Sequence, residues 1–237
     1  MSSKTFNIRA RFQKREVFRT PPETYLPLFE YVEREGHDWF QGVGFDPSAG
    51  DGRMIAELKM RGNDGPHFLR DIRNEELEAM ALVVGDNASV GDYLTLENPP
   101  KADFMLTNPP FTLATRFVEK ARQHISGPII LLNSLSFQTT QARSEWLKES
   151  GLAYVLNIPK RPKWEVQIGG KVPNNVQDFA FFVFLPDHDE KPVMDWLDAM
   201  PQTEPLFTTT TAYSVPITYP FEVALRLFRR IIRWDQS

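Results

Sequence analysis

The sequence contains no cysteine, and this absence removes several classes of chemistry. A chain of 237 residues without thiols has no disulfide framework, no iron–sulfur cluster, no cysteine-ligated zinc and no thiolate nucleophile. Histidine is also scarce, and the four that occur lack the spacing of metal ligands, so we expect no metal site. Long apolar runs and a signal-like N-terminus are missing as well, which predicts a cytoplasmic protein without a membrane span.

Acidic and basic residues nearly balance, and the formal net charge of −4 does not suggest a nucleic-acid partner. The distribution of charge does suggest such a partner, because the first nineteen residues hold six basic side chains and one acidic one, Glu16. Such an arm, residues 1–19, can follow a phosphate backbone, although a solvated, disordered terminus accounts for it equally well. The length and the 41% hydrophobic content fit one sizeable α/β domain with a modest extension.

The most informative stretch follows an apolar run at residues 102–106, which predicts a short buried strand. It reads Asn108-Pro109-Pro110-Phe111. Because Asn108 precedes a proline, its backbone is extended, and because Pro110 has no N–H, no local donor claims the carbonyl of Pro109. Two fixed acceptors, the Asn108 side-chain oxygen and the Pro109 carbonyl, therefore stand beside the ring of Phe111. This arrangement suits a planar exocyclic amine.

The tripeptide alone is not decisive, because Asn98-Pro99-Pro100 occurs as well. That copy precedes the apolar run and is followed by Lys101, which is typical of a turn that enters a strand. The copy at Asn108 leaves the carboxyl end of the strand instead, where open α/β sheets bind their ligands, and it carries an aromatic residue. We therefore assign chemistry to the second copy.

A glycine-rich turn, residues 46–52, follows another short apolar segment and precedes a helical pattern at residues 54–58. In such a strand–turn–helix unit, Gly50 and Gly52 let a ligand approach the backbone. The turn lacks the Gly-x-Gly-x-x-Gly spacing, and the carboxylates of Asp46 and Asp51 disfavour a phosphate. A cationic or hydroxyl-rich ligand fits better, although a generic turn between strand and helix has the same pattern.

Two further carboxylates follow predicted strands. Residues 67–69 end near Asp71, twenty-five residues after Asp46, and an acidic side chain at about that distance binds ribose hydroxyls in α/β nucleotide sites. Residues 88–90 end in Gly91-Asp92, which puts another carboxylate on the same rim. Asp86 competes with Asp92 for that role, and an aspartate that only caps a loop is a simpler alternative.

The remaining segments carry weaker signals. Thr20 is the expected N-cap of a helix that Gly36 closes. Residues 151–158 and 178–185 read as strands around a loop with basic, aromatic and glycine-rich parts, at residues 160–164 and 169–171, which is a candidate for nucleic-acid contact. The tail has helical spacing at residues 193–200 and 221–234. The second of these helices is basic, and it either packs on the domain or contacts nucleic acid or a partner.

The paired motifs, the turn at residues 46–52 followed by Asn108-Pro109-Pro110-Phe111, resemble the Class I S-adenosylmethionine-dependent methyltransferases. The small phage- and plasmid-like DNA enzymes that methylate adenine N6, some of them from restriction–modification systems, are the most similar group. The resemblance runs from about residue 18 to residue 186. It implies a Rossmann-like α/β fold, with a mostly parallel seven-stranded sheet, a terminal antiparallel strand and helices on both faces. Residues 20–186 would form the catalytic domain, and residues 187–237 a helical extension.

The resemblance also implies roles for individual residues. It implies that S-adenosylmethionine is the cofactor and that it is held by Thr20, Pro21, Asp46, Pro47, Ala49, Gly50, Gly52, Asp71, Asp92 and Asn108. It implies that the catalytic residues are Asn108, Pro109, Pro110 and Phe111. It implies that the substrate is contacted by Phe111, Arg161, Lys163 and Trp164, the last three lying in the segment that packs on a flipped base.

The activity expected from these motifs is methyl transfer to the N6 amine of adenine in double-stranded DNA, after the base is rotated out of the helix. Methylation at a cytosine carbon would need a thiolate, which the chain lacks. Adenine in RNA, cytosine N4 and a protein glutamine remain alternatives, because the same two acceptors suit each of them. A non-catalytic nucleic-acid-binding subunit is a third possibility, which the intact motifs disfavour. The basic segments favour nucleic acid over protein without separating DNA from RNA.

Overall fold

The computed structural model describes residues 18–166 and 177–199. The strands in this part of the chain are β1 (Phe18–Arg19), β2 (Gly44–Asp46), β3 (Phe68–Asp71), β4 (Ala88–Val90), β5 (Phe104–Thr107), β6 (Ile129–Ser134), β7 (Leu152–Asn157), β8 (Glu165–Val166), β9 (Phe179–Phe184) and β10 (Val193–Trp196). Eight of them form one sheet, while β1 and β8 make a separate antiparallel pair.

Helices alternate with several of the strands along the chain. They are α1 (Pro22–Glu35), α2 (Arg53–Met60), α3 (Leu77–Val84), α4 (Ala114–Ala121) and α5 (Gln141–Lys148). Helix α1 begins at Pro22, which lacks the N–H that a first turn leaves unpaired, and ends at Gly36 with a left-handed φ of 70°. No helix in the described part of the chain is long and apolar enough to cross a membrane.

The order of strands in the sheet is β10-β7-β9-β6-β5-β2-β3-β4. All neighbours are parallel except β9, which runs antiparallel to both β6 and β7. The chain builds β3 and β4 on one side of β2 and then returns to place β5 on the other side. The topological switch point of this sheet therefore lies between β2 and β5, where α/β proteins open a crevice for ligands.

The core consists of two apolar layers, one on each face of the sheet. Phe104 and Leu106 of β5 point towards the layer that contains α1, α2 and α3. Met105, between them, points towards the layer that contains α4 and α5, as strand geometry requires. Both faces are covered, so the strands read as continuous apolar runs rather than alternating ones. The predicted fold class, with helices on both faces and an antiparallel strand near the end, is confirmed.

Three details of the prediction were wrong. The sheet has eight strands rather than seven, because Val193–Trp196 forms β10 and not the start of a helix. This short apolar run suits either structure, and parallel pairing with β7 decides for the strand, supported by hydrogen bonds from Leu197 N to Asn157 O and from Asn157 Nδ2 to Asp195 O. The sheet thus extends beyond residue 186. The N-cap of α1 is Pro21 rather than Thr20.

Candidate active site

The two sequence motifs meet at the switch point of the sheet. Strand β2 pairs in parallel with β5, with Phe45 opposite Met105. Asp46 ends β2 and Asn108 follows β5, so the glycine-rich turn and the Asn-Pro-Pro-Phe stretch leave neighbouring strands at the same edge. The other copy, at Asn98, precedes β5 and lies at the opposite edge, which agrees with its interpretation as a turn.

Asp46 and Thr107 form the buried floor of this crevice. Their exposed fractions are 1% and 0%. Asp46 Oδ1 accepts from the Ser48 amide at 3.0 Å, and the Thr107 hydroxyl is near enough to lower the pKa of the carboxyl. Neither Asp46 Oδ2 nor Thr107 Oγ1, however, makes a well-formed hydrogen bond within the described residues. Burial outweighs these contacts and raises the pKa of Asp46 to about 7. A buried oxygen of this kind suits a cationic donor.

The glycines of the turn are required by its shape. Gly50 and Gly52 have left-handed φ values of 55° and 79°, and a Cβ at Gly52 would lie 2.6 Å from Leu69 Cδ1. The turn is tied to β3 by hydrogen bonds from Ala49 N to the Arg70 carbonyl at 3.0 Å and from Gly50 N to an Asp71 oxygen at 2.9 Å. These hydrogen bonds and the two left-handed residues together fix the path of the turn beside β3.

Asp71 lies beside this turn, but its carboxylate already has partners. Oδ1 accepts from the backbone N and the Nε of Arg73, and Oδ2 accepts from Gly50 N and from Arg73 Nη2. A carboxylate offers about four lone-pair sites, and these contacts use them. The predicted contact of Asp71 with ribose hydroxyls therefore requires Arg73 to give up part of its contact.

Arg73 belongs to a buried charge network that sequence reasoning missed. Arg73 Nη1 lies 3.1 Å from one oxygen of Glu76, and Arg19 Nη2 lies 3.0 Å from the other. Asp51 binds Arg53 at 2.8 Å and lies 3.7 Å from Arg19 Nε. The sequence contains one signal for this network, which is that opposite charges occur two residues apart, at Asp51 and Arg53 and again at Asp71 and Arg73.

Asp92 lies on the predicted rim. It follows β4, which is parallel to β3, so it shares an edge of the sheet with Asp71. One of its oxygens accepts from a backbone amide two residues later, at 2.9 Å. Asp86 precedes β4 and lies at the opposite edge, which removes it as a competitor. Arg70 donates from Nε to the Gly91 carbonyl at 3.0 Å and holds the start of this turn.

The Asn108 side chain is half-buried, and its amide has a partner 88 residues away in sequence. Asn108 Nδ2 donates to the hydroxyl Oγ1 of Thr20 at 3.1 Å. Thr20, which is 5% exposed, precedes the first turn of α1. The structure therefore brings Thr20 against the Asn-Pro-Pro-Phe stretch, and the preceding residue, Arg19, lies beside the predicted cofactor turn.

Phe111 packs in a cluster of aromatic rings. Its ring centroid lies 5.4 Å from that of Phe179 and 6.5 Å from that of Trp164, and the latter two are 5.3 Å apart. Trp164 is only 5% exposed. It therefore packs on Phe111 rather than standing open to solvent, whereas Phe111 itself is half-buried. Asn133 Nδ2 donates to the Phe111 carbonyl at 3.4 Å and holds the backbone there, another contact that sequence reasoning missed.

The basic segment at residues 160–164 is divided between solvent and core. Arg161 and Lys163 are exposed, and Arg161 Nε forms an ion pair with Asp178 at 2.9 Å. β8 follows this segment and pairs with β1, so the segment is tied to the chain that leads to Thr20. The basic arm at residues 1–17, residues 169–171 and the predicted helix at residues 221–234 lie outside the described residues.

His67, which is buried, and His124, which is half-buried, both have structural contacts. His67 Nδ1 accepts from Gly44 N at 2.9 Å. His124 Nδ1 lies 2.8 Å from the Pro100 carbonyl and must donate to it, so Nε2 accepts from the Tyr93 hydroxyl at 2.7 Å. Burial lowers the pKa of both rings. Among residues 18–166 and 177–199, no group of histidine and acidic side chains is placed to hold a metal ion.

No protein-family model and no curated protein matches the sequence. Solved structures do match the fold. The chain is similar to a protein from Pyrococcus horikoshii described as an RNA methyltransferase, with a TM-score of 0.52 and 14% identity over 78% of this chain and 98% of that one. The present chain of 237 residues therefore has a Rossmann-like methyltransferase fold.

Two other structures share this methyltransferase-like fold. One is a type I restriction–modification methyltransferase subunit from Streptococcus thermophilus, with a TM-score of 0.51 and 14% identity over 70% of this chain and 44% of the subunit. Another is a protein from Thermoplasma acidophilum, with a TM-score of 0.51 and 18% identity over 80% of this chain and all of that one. At these identities the likeness concerns the fold and not the substrate.

Proposed function

We propose that this protein is an S-adenosylmethionine-dependent methyltransferase that methylates the N6 amine of adenine in DNA. The observation that carries the proposal is the meeting of two motifs at the switch point. The turn from Asp46 to Gly52 and the stretch from Asn108 to Phe111 leave neighbouring parallel strands at the same edge. One offers a site for the methyl donor, and the other offers acceptors for an amine.

The residues around the turn fit the proposed cofactor. The buried Asp46 Oδ2, which lacks a well-formed hydrogen bond, suits the ammonium group of the methionine part. Gly50 and Gly52 give the turn its left-handed path, and Asp92 on the rim would accept from the adenine amine. Asp71 would take the ribose hydroxyls once Arg73 shares its carboxylate. The bound cofactor supplies an electrophilic methyl group on a sulfonium.

The chain's own part in the reaction is positioning and electrostatics. The lone pair of an adenine amine is delocalised into the ring, which makes the nitrogen a poor nucleophile. Hydrogen bonds from its two N–H groups to Asn108 Oδ1 and to the Pro109 carbonyl favour a pyramidal nitrogen, whose lone pair can then attack. Phe111 stacks on the base. No covalent enzyme intermediate is needed, and the proton leaves after the transfer.

One observation favours nucleic acid as the substrate. Lys163 is exposed in the segment that packs Trp164 against Phe111, so positive charge lies beside the proposed base pocket, whereas the charge of Arg161 is paired with Asp178. RNA adenine, cytosine N4 and a protein glutamine fit the same two acceptors, and they are outcomes of the test below.

The test is methyl transfer from labelled S-adenosylmethionine to duplex DNA, to RNA and to protein, followed by nucleoside and peptide analysis. We expect N6-methyladenine in DNA from the wild type and none from Asn108→Ala. Asn98→Ala is a matched control, because Asn98 begins the same tripeptide at the opposite edge and is exposed, and it should retain full activity. Label only in RNA or protein would redirect the proposal, and absence of cofactor binding would overturn it.

A further inference from the structure

Strand β10, at one edge of the sheet, carries apolar side chains that are open to solvent. Val193, Met194 and Trp196 have exposed fractions of 49%, 53% and 63%. Large apolar side chains gain free energy when they leave water, and neighbouring ones that stay exposed on a soluble domain mark a surface that binds something. The exposed side chains of β10 therefore indicate a docking surface.

The two faces of β10 have different surroundings. Asp195 faces α1, because its Oδ2 accepts from the Tyr31 hydroxyl at 3.1 Å. Side chains alternate along a strand, so Met194 and Trp196 share the opposite face, which we call the apolar face of β10. Met194 lies beside Val155 of β7, which belongs to the apolar layer of α4 and α5. The described residues cover Val155 but leave Met194 and Trp196 open.

No comparable face is formed by the other large apolar side chains that are exposed in the described part of the chain, which are Ile72, Leu77 and Leu82. Leu77 and Leu82 are five residues apart in α3, which places them about 140° apart around the helix axis. Helix α3 packs on β3 and β4, at the opposite edge of the sheet from β10. The apolar face of β10 is therefore the more continuous surface.

The C-terminal segment, residues 221–234, has the sequence pattern that such a face requires. At helical spacing, one side of it carries Phe221, Leu225, Phe228 and Ile232. The four arginines, at positions 226, 229, 230 and 233, fall on another side of the same helix. A helix of this kind buries its apolar side against an apolar surface and keeps its charges at the rim.

Charge complementarity favours the C-terminal segment as the occupant. Residues 186–199 hold five carboxylates and one lysine. Asp195 and Asp198 have partners in α1, whereas the other three carboxylates, at positions 187, 189 and 190, are exposed next to β10. The C-terminal segment has four arginines and only one carboxylate, Glu222, so opposite charges face each other when the two surfaces meet.

The C-terminal segment is also tethered close to this surface. The described part of the chain ends at residue 199, directly after β10, and residues 200–220 lead from there to the C-terminal segment. A flexible chain of that length has a root-mean-square span of roughly 25 Å, and a segment tethered in this way has an effective concentration on the order of millimolar. A second copy of the chain has to compete with this advantage from solution.

We propose that the C-terminal segment docks as an amphipathic helix on the apolar face of β10, with its arginines towards the carboxylates at residues 187–190. The inference is independent of the proposed function. It decides between the two roles that the sequence leaves open for this basic helix, because a helix docked here packs on the domain. The docked helix continues the layer of α4 and α5 to the edge of the sheet.

Cross-linking tests the docking without background, because the chain contains no cysteine. We expect a short bismaleimide to link Met194→Cys to Ala224→Cys within one chain, since Ala224 lies on the apolar side of the C-terminal segment. The matched control pairs Leu82→Cys with Ala224→Cys, because Leu82 is 61% exposed and lies near the opposite edge of the sheet. The first pair should give about tenfold more intramolecular product than the control. Equal yields, or products that join two chains through Met194→Cys alone, would overturn the inference.

A second measurement leaves the apolar face of β10 unaltered. Leu225→Asp puts a charge on the apolar side of the C-terminal segment, whereas Val223→Asp puts the same charge about 160° away around the helix axis. Hydrogen exchange at residues 193–197 of the intact chain, followed by mass spectrometry, should be about tenfold faster in Leu225→Asp than in the wild type, and unchanged in Val223→Asp. The same rate in all three proteins would refute the docking. Neither measurement uses methyl transfer, so failure of the proposed function does not affect the result.

Discussion

Arg73 binds Asp71 through three hydrogen bonds, from its backbone N at 3.0 Å, from Nε at 2.9 Å and from Nη2 at 3.2 Å. Asp71 also accepts from Gly50 N, so this pair fixes the glycine-rich turn as well as balancing charge. Arg73 further contacts Glu76, whose side chain is fully buried. Arg73 therefore compensates Asp71 and shares the compensation of Glu76 with Arg19, and both carboxylates have almost no access to water.

Arg73→Met should destabilise the fold strongly. It leaves Asp71 buried without its arginine and Glu76 with Arg19 alone, and removing one partner from a buried pair costs about 3–5 kcal/mol. Urea unfolding followed by circular dichroism measures the loss. Arg34→Met is the matched control, because its ion pair with Asp198 at 2.8 Å is about half-exposed, and it should cost at most about 1 kcal/mol. Similar losses in the two variants would contradict a structural role for the network.

Asp46 should make stability depend on pH. Burial raises its folded-state pKa to about 7, above the ordinary pKa of 3.8 that the unfolded chain retains. A raised pKa means that the folded state binds the proton more tightly, so this contribution is complete below the unfolded pKa and is lost as the pH rises through about 7. Between the unfolded-state pKa and pH of about 7, the unfolding free energy of the wild type should fall relative to that of Asp46→Asn. Parallel pH profiles would contradict the assignment.

The pH dependence of cofactor binding should have the opposite sign. The ammonium group of S-adenosylmethionine favours the ionised form of Asp46, so binding competes with the proton at a carboxyl whose pKa is about 7 without cofactor. Calorimetric titrations should show affinity that rises with pH from about 5.5 to about 7.5. Asp46→Asn should bind more weakly and with little pH dependence. A wild-type affinity that is constant over this range would argue against the ammonium contact.

Trp164 and Lys163 are neighbours in sequence but should behave differently. Trp164 packs on Phe111 and Phe179 with 5% of its surface exposed, so Trp164→Ala should cost about 3–5 kcal/mol of stability as well as activity. Lys163→Ala should leave the melting temperature unchanged. It should weaken DNA binding equally across sequences and reduce the slope of log K against log salt by about one. Thermal unfolding and salt titrations separate the two effects.

The sequence by itself determined the fold class and the local geometry of both motifs. Pro110 removes a donor and Gly52 permits a left-handed turn whatever surrounds them, and the apolar run that became β5 is typical of a strand buried in the centre of a sheet. The order of the motifs then placed the glycine-rich turn and Asn108 at the carboxyl ends of strands. These properties depend on adjacent residues, which is why they could be read from the chain.

Tertiary structure decided which partner each side chain has. The spacing of apolar residues at 193–200 predicted a helix, whereas Val193–Trp196 pairs with β7 as a parallel strand. No local pattern predicted the contact of Thr20 with Asn108, or the packing of Trp164 on Phe111 and Phe179. Such contacts arise only when distant strands pair and bring their ends together. Burial then decides how much stability each contact contributes. Losing a hydrogen bond or an ion pair is costly where water cannot replace the missing partner.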